Sequence, residues 1–180
     1  MRTGESLVND VAADEKIITN YINQINTDMA LSNSNKLIEI IDNITHQETQ
    51  LGEYRFDLTV SEIYEYSSAG SLDFGGGEFE PASTNKLNPV KKDEDDSYGW
   101  WNLAGGTYHA VCNESISVTD DDSVLVAPHP HAMEAGLVIS TFIAEAGEAN
   151  TGLRIPIHIP GTGCKIKENA RFASAYIISG

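Results

Sequence analysis

Basic residues are scarce in this chain. Only 11 Lys and Arg stand against 27 Asp and Glu in 180 residues, which gives a formal net charge of −16. Such a surface repels nucleic-acid backbones, whose affinity for proteins comes from Lys and Arg. No basic cluster exceeds Lys91-Lys92, so a nucleic-acid partner is excluded. Long apolar runs are lacking too. No stretch approaches the ~18 apolar residues of a membrane span, and MRTGESLVNDVAADE, residues 1–15, has no apolar run of the secretory kind. Cysteine is limited to Cys112 and Cys164, too few for a disulfide framework and best read as buried free thiols. These absences together predict a soluble, cytoplasmic protein with no membrane partner. The excess acid reads most simply as a solvated surface, and more sharply as adaptation to a salty cytoplasm. The triple glycine at 75–77 is followed by neither Lys-Ser/Thr nor a helix start. It is therefore a flexible turn and not a phosphate loop.

What is present is a core. Apolar residues make up 41% of the chain, enough for one ordinary domain with a small extension. Val8, Val11, Ile18, Tyr21, Ile22 and Ile25 recur at helical spacing, as do Leu37, Ile40, Ile41 and Ile44. The expectation is two helices over residues 1–47, with Ser34 or Asn35 capping the second. From residue 48 the period changes. Tyr54, Phe56, Leu58 and Val60 alternate with polar residues, as in a strand. Residues 67–99, rich in Gly, Pro, Ser and acid, read as a long loop with a short strand near GEFE. Then come TYHAVC, SISV, SVLVAP, LVISTFIA, LRIPIHI, CKIK and RFASAYII, separated by turn residues. Short strands at such spacing predict an all-β barrel or sandwich over 48–180. Of the adjacent Trp100 and Trp101, one is expected in the core and the other over the loop or a subunit contact.

APHPHAMEAGL, 127–137, carries the densest chemistry. If the segment is extended, His129 and His131 point the same way. That suits a chelating pair, with Glu134 as a third ligand and His109 or His158 arriving from a neighbouring strand. A pocket, a subunit interface or a plain structural role are the competing readings.

The strand series resembles the trimeric dUTPase and dCTP deaminase superfamily over roughly 47–60 and 103–178. LGEYRFDLTVSEI carries the early Asp-Leu pair as Asp57-Leu58. The central motif commonly reads Pro-Arg-Ser-Ser-Leu-x-Arg-x-Gly-Leu. Here the same frame holds Pro128, His129, Pro130, His131, Ala132, Met133, Glu134, Ala135, Gly136 and Leu137 without a gap. Glu145 stands where the family often places a catalytic aspartate, with Gly147 beside it, and Arg171 lies near the arginine of the last hairpin. The departures are in the letters that bear chemistry. A guanidinium fork and two hydroxyls suit phosphate; His129, Pro130 and His131 replace them, and Glu134 replaces a second arginine. The strand LRIPIHI offers Arg154 and His158 where deaminases use a glutamate.

The resemblance implies a mainly β, dUTPase-like distorted barrel with an N-terminal two-helix extension, assembled as a homotrimer. It implies a deoxynucleoside triphosphate as ligand, Mg2+ as cofactor and Glu145 as water-activating base. His129, His131, Gly136, Gly147, Arg154 and Arg171 are the nucleotide-binding candidates. Asp57 is expected to hold strand geometry. Two other readings stand beside this one: a catalytically inactive scaffold or nucleotide sensor, and a cupin-like metal barrel on His129, His131 and Glu134.

Overall fold

The computed structural model describes residues 30–31, 34–118, 122–144 and 153–179. The first expected helix, Glu145 and Gly147 lie outside the described residues. The chain runs β1 (Ala30–Leu31), α1 (Asn35–Ile40), β2 (Ile41–Asp42), α2 (Gln47–Gln50), β3 (Phe56–Tyr66), β4 (Thr84–Leu87), β5 (Trp100–Leu103), β6 (Gly106–Cys112) and β7 (Ser115–Ile116). It continues through β8 (Asp122–Pro128), α3 (Pro130–Glu134), β9 (Val138–Ile139), β10 (Phe142–Ala144), β11 (Arg154–Ile159), β12 (Cys164–Lys167) and β13 (Arg171–Ser179). The described residues are mainly β, as the strand spacing predicts.

One nine-stranded antiparallel sheet dominates. Its order is β10-β8-β13-β3-β6-β11-β9, with β1 on β13 and β4 on β3. Two-stranded ladders, β12 with β5 and β2 with β7, lie beside it. Alternation sends one face of each strand inward. Phe56, Leu58 and Val60 of β3, Val124 and Val126 of β8, Ile155, Ile157 and Ile159 of β11 and Ala173, Ala175 and Ile177 of β13 form the core. A register shift between Val60 and Glu62 inserts one extra residue in β3. After it, Ile63 takes the inward place.

Beyond the ends of the elements, three differences from the sequence reading have local causes. Ser34 occupies the cap position of α1, but its hydroxyl donates to the Gly52 carbonyl and leaves the helix uncapped by a side chain. LVISTFIA divides into β9 on β11 and β10 on β8, because two different strands need its two halves. The expected loop at 67–99 starts as a ribbon. β4 pairs with β3 from Tyr66–Thr84 to Ile63–Leu87. Ser67 N donates to the Ser83 carbonyl at 2.8 Å, and Ser71 and Glu80 exchange bonds at 2.9 and 3.2 Å. Glycine is required at 70, where a Cβ would stand 2.7 Å from the Glu80 carbonyl oxygen. Trp101 is the buried indole, its Nε1 donating to the Leu87 carbonyl at 2.9 Å. Trp100 is half-buried, with the Lys92 ammonium 4.5 Å from its ring centroid.

Candidate functional site

The HPH segment is not extended. β8 ends at Pro128, and residues 130–134 turn into α3. Pro130 sits in the first turn, where its missing N–H would have had no partner anyway and its φ is already helical. His129 is the N-cap. Its Nδ1 accepts from the His131 backbone N–H at 3.0 Å, the task usually given to Ser, Asp or Asn. Its Nε2 faces the Asp57 Oδ2 at 3.1 Å. An acceptor at Nδ1 requires the proton at Nε2, so the ring is neutral and donates to Asp57. Burial pushes the His129 pKa down, with Arg171, His131 and Arg55 adding to that effect and Asp57 opposing it.

Asp57 is the hub. It points to the opposite side of β3 from Phe56 and Leu58 and is 2% exposed. Arg55 Nε lies 3.0 Å from its Oδ1 and Arg171 Nη1 3.1 Å from its Oδ2. Ser174 Oγ donates to Oδ1 at 2.8 Å. Two guanidinium groups, one imidazole N–H and one hydroxyl thus surround one buried carboxylate. Arg171 pairs with Thr59 across the ladder, beside a register shift in β13 between Arg171 and Ala173. There it also donates to the Thr49 carbonyl at 3.3 Å. A second buried carboxylate, Glu114, accepts from Thr59 N at 2.8 Å, Thr59 Oγ1 at 2.6 Å and Gln50 Nε2 at 2.7 Å. It locks α2 and the β6–β7 turn against β3.

Between α2, α3, β12 and the start of β13 lies a cavity of about 460 Å3. Lys165, Lys167, Arg171, His46 and His131 line it, together with Trp100, Ala132, Leu137, Ile166 and Phe172. Asn169, in the left-handed conformation at φ 60°, is also at its wall. None of the eighteen lining residues is acidic. In a chain with 27 acids in 180 residues, this hollow has the opposite charge to the molecule as a whole.

The sequence-predicted residues divide accordingly. His131 and Arg171 line the cavity and His129 stands behind it. Gly136, at φ 83°, closes the turn after α3 in a conformation that favours glycine. Arg154 is elsewhere, opposite Val111 in the ladder, its guanidinium 5.3 Å from the Tyr64 ring centroid. His109 and His158 do not approach α3: His109 Nε2 meets the Tyr66 hydroxyl at 2.6 Å, and His158 Nδ1 meets Thr107 Oγ1 at 3.2 Å. The metal set of His129, His131 and Glu134 is not assembled. Both His129 ring nitrogens are committed, Glu134 is exposed, and the described residues contain no group of three His, Cys, Asp or Glu poised for a metal. Lys165, Lys167, Asn169, Gln50 and Thr59 were not among the predicted site residues. Their signal was faint: Lys165 and Lys167 alternate on a short strand.

No family model matches the chain. It is 27% identical over 150 residues to the probable deoxyuridine 5′-triphosphate nucleotidohydrolase of Methanosarcina mazei, covering 79% of this chain and 84% of that protein. To the probable enzyme of the same name from Methanococcoides burtonii it is 24% identical over 150 residues, covering 79% and 85%. Among solved structures, the 2′-deoxycytidine 5′-triphosphate deaminase of Agrobacterium tumefaciens matches with a TM-score of 0.59 at 12% identity. That match covers 85% of this chain and 47% of the deaminase, so this chain spans about half the deaminase's length. It shows the fold alone. With the ungapped frame from Pro128 to Leu137 and the strand series in place, the chain is similar in sequence to probable dUTP nucleotidohydrolases and in fold to a dCTP deaminase.

Proposed function

We propose that this chain acts in deoxypyrimidine nucleotide metabolism, taking a deoxynucleoside triphosphate into the cavity between α3 and β13. The observation that carries the reading is the acid-free, basic cavity in a strongly acidic protein. Around the cavity the acidic surface repels a triphosphate, while Arg171, Lys165 and Lys167 offer it three fixed cations. Arg171 is held by Asp57, so its orientation is set before an anion arrives. His131 presents its ring at the rim and His129 acts as a positioning residue through the α3 cap. Trp100, Leu137 and Phe172 supply apolar area for a nucleoside. Arg154 does not line this cavity, so a role for it requires a neighbouring copy, as in the homotrimer we propose for this chain.

The reaction we propose is hydrolytic. Glu145, two residues before Gly147 in the sequence, is the proposed base: it takes a proton from water as that water attacks phosphorus, and pyrophosphate leaves. The described cavity residues offer no carboxylate to a divalent ion, so they do not form a protein-held Mg2+ site of the oxygen-rich kind, and no step is assigned to the metal. One observation favours a second reading, a nucleotide-binding member without turnover. The motif positions that carry arginine and serine in relatives here build a helix cap and leave no side chain free for phosphate at 129 and 130.

A thermal-shift screen against dUTP, dCTP, dTTP and ATP, with and without Mg2+, tests the reading. A ligand at a hundred times its Kd adds about 2.7 kcal/mol, or roughly 5–10 °C for a chain of this size. No shift at millimolar nucleotide overturns it. Release of pyrophosphate or ammonia then separates the enzyme from the silent binder, and Glu145→Gln is expected to abolish release while keeping the thermal shift. Light scattering of the free protein tests the trimer.

A further inference from the structure

We infer that the tip of the β3–β4 ribbon, residues 72–79, docks over the α3–β13 cavity of a second copy of this chain. The ribbon leaves the domain as a hydrogen-bonded extension of β3 and β4, and its tip carries apolar side chains into open solvent. Leu72 is 88% exposed, Phe74 110% and Phe79 54%. The tip is a built turn: Asp73 Oδ2 accepts from Gly77 N at 3.1 Å, Ser71 Oγ donates to the Glu78 carbonyl at 2.6 Å, and Gly76 sits at φ 74°. A Cβ added at Gly76 or Gly77 would meet nothing within 4 Å, so the tip stands clear of its own domain. Exposed apolar area of this kind marks a contact surface.

Charge selects the occupant. The tip and its base carry Asp73, Glu78 and Glu80 and no basic residue. The cavity carries Lys165, Lys167 and Arg171 and no acid among its described lining, with Trp100, Leu137 and Phe172 between them. Apolar and acidic on one side meets apolar and basic on the other. Geometry selects a different copy. The cavity touches β3 at Thr59, and seven residues of strand from there to Tyr66 span ~23 Å before the ribbon continues outward. The tip therefore points away from its own cavity. A tip-to-cavity contact is head-to-tail, and such contacts form a ring where the rotation closes and an open filament where it does not. The inference stands on the tip and the cavity alone and does not depend on which nucleotide binds.

Cys164 lines the cavity, which provides the test. Phe74→Cys replaces a fully exposed side chain and leaves folding intact. Under mild oxidation in the absence of nucleotide, the variant is expected to form disulfide-linked dimers and larger species on a non-reducing gel, and these disappear in Phe74→Cys/Cys164→Ser. Cys112 is buried, with its thiol pKa pushed well up by burial and by Glu114, and does not compete. Linked species that survive Cys164→Ser mean tip meets tip and overturn the inference. A monomer with both thiols consumed means the tip folds back on its own cavity, and absence of any link means no docking. Either result also overturns it.

Discussion

Asp57 and Glu62 stand on the same face of β3, one bulge apart, and each is a carboxylate with two cationic side chains and a hydroxyl in its neighbourhood. Around Asp57 are Arg55, Arg171 and His129, with 3% of its side chain exposed. Glu62 binds Lys86 and the Tyr64 hydroxyl, feels Arg154, and has 33% of its side chain exposed. Its pKa is lowered, first by Lys86, then by Tyr64. The groups are alike and the environments are not. At Asp57 the protein has removed the solvent, so every partner must stay. At Glu62 water can replace any of them. Burial, and not the choice of residues, separates an organising centre from a surface pair.

The largest expected effect is the removal of the buried charge. Asp57→Asn leaves Arg55 and Arg171 without their carboxylate and should cost about 3 kcal/mol, as for a broken buried pair. Denaturant unfolding measures it, and nucleotide binding should fall with it. A loss no greater than that of a surface substitution would erase the contrast between the two sites. Arg171→Ala comes next. It removes one cavity cation and should weaken a triphosphate about tenfold or more, the scale of a charge-assisted hydrogen bond at about 1.5–3 kcal/mol, in a calorimetric titration.

The pH dependence ranks third. Burial holds His129 and His109 below the ordinary imidazole range. The unfolded chain therefore takes up these protons first as the solution is acidified. The contribution of each ring is complete above the unfolded imidazole pKa of about 6.5 and is lost as the pH falls below it. Protonated His129 would also turn a donor toward the His131 N–H and open the α3 cap. Melting curves between pH 7 and pH 5 should slope downward, and His129→Asn, which keeps a capping acceptor, should flatten that slope more than His109→Gln. The smallest effect is at the exposed pair. Glu62→Gln should move Tm by no more than about 2 °C. A larger shift would show that the upper end of β3 is less solvated than its geometry indicates.

Much of the sheet was legible because alternation is a local property. Ile155, Ile157 and Ile159, or Ala173, Ala175 and Ile177, announce an inward face before any partner is known. α3 was not legible. His-Pro-His reads equally as an extended pair or as a cap followed by a first-turn proline, and only the Asp57 carboxylate arriving from β3 decides between them. The same distance in sequence hid the hub. In the sequence Asp57 is an ordinary strand residue, because Arg171, Ser174 and His129 come from segments more than 70 positions away. The cavity cations Lys165 and Lys167 were hidden for a different reason. Two lysines on a short strand look like any solvated edge until Trp100 and Phe172 are placed beside them. The ribbon at 67–83 read as a loop because Gly70, Gly75, Gly76 and Gly77 lower its strand propensity, while the ladder of β3 and β4 carries it onward regardless.

That ladder has a mechanical consequence. β3 joins the free tip at one end to Asp57 at the other, and neighbouring strands grip it along most of its length. A pull on the tip loads those hydrogen bonds in shear, many at once, instead of peeling them one by one. The strand therefore behaves as a stiff rod. A partner that seized the tip would tug on the carboxylate that orients Arg171, roughly 30 Å or more away by strand rise, and the first sign of it would be faster hydrogen exchange at the α3 cap.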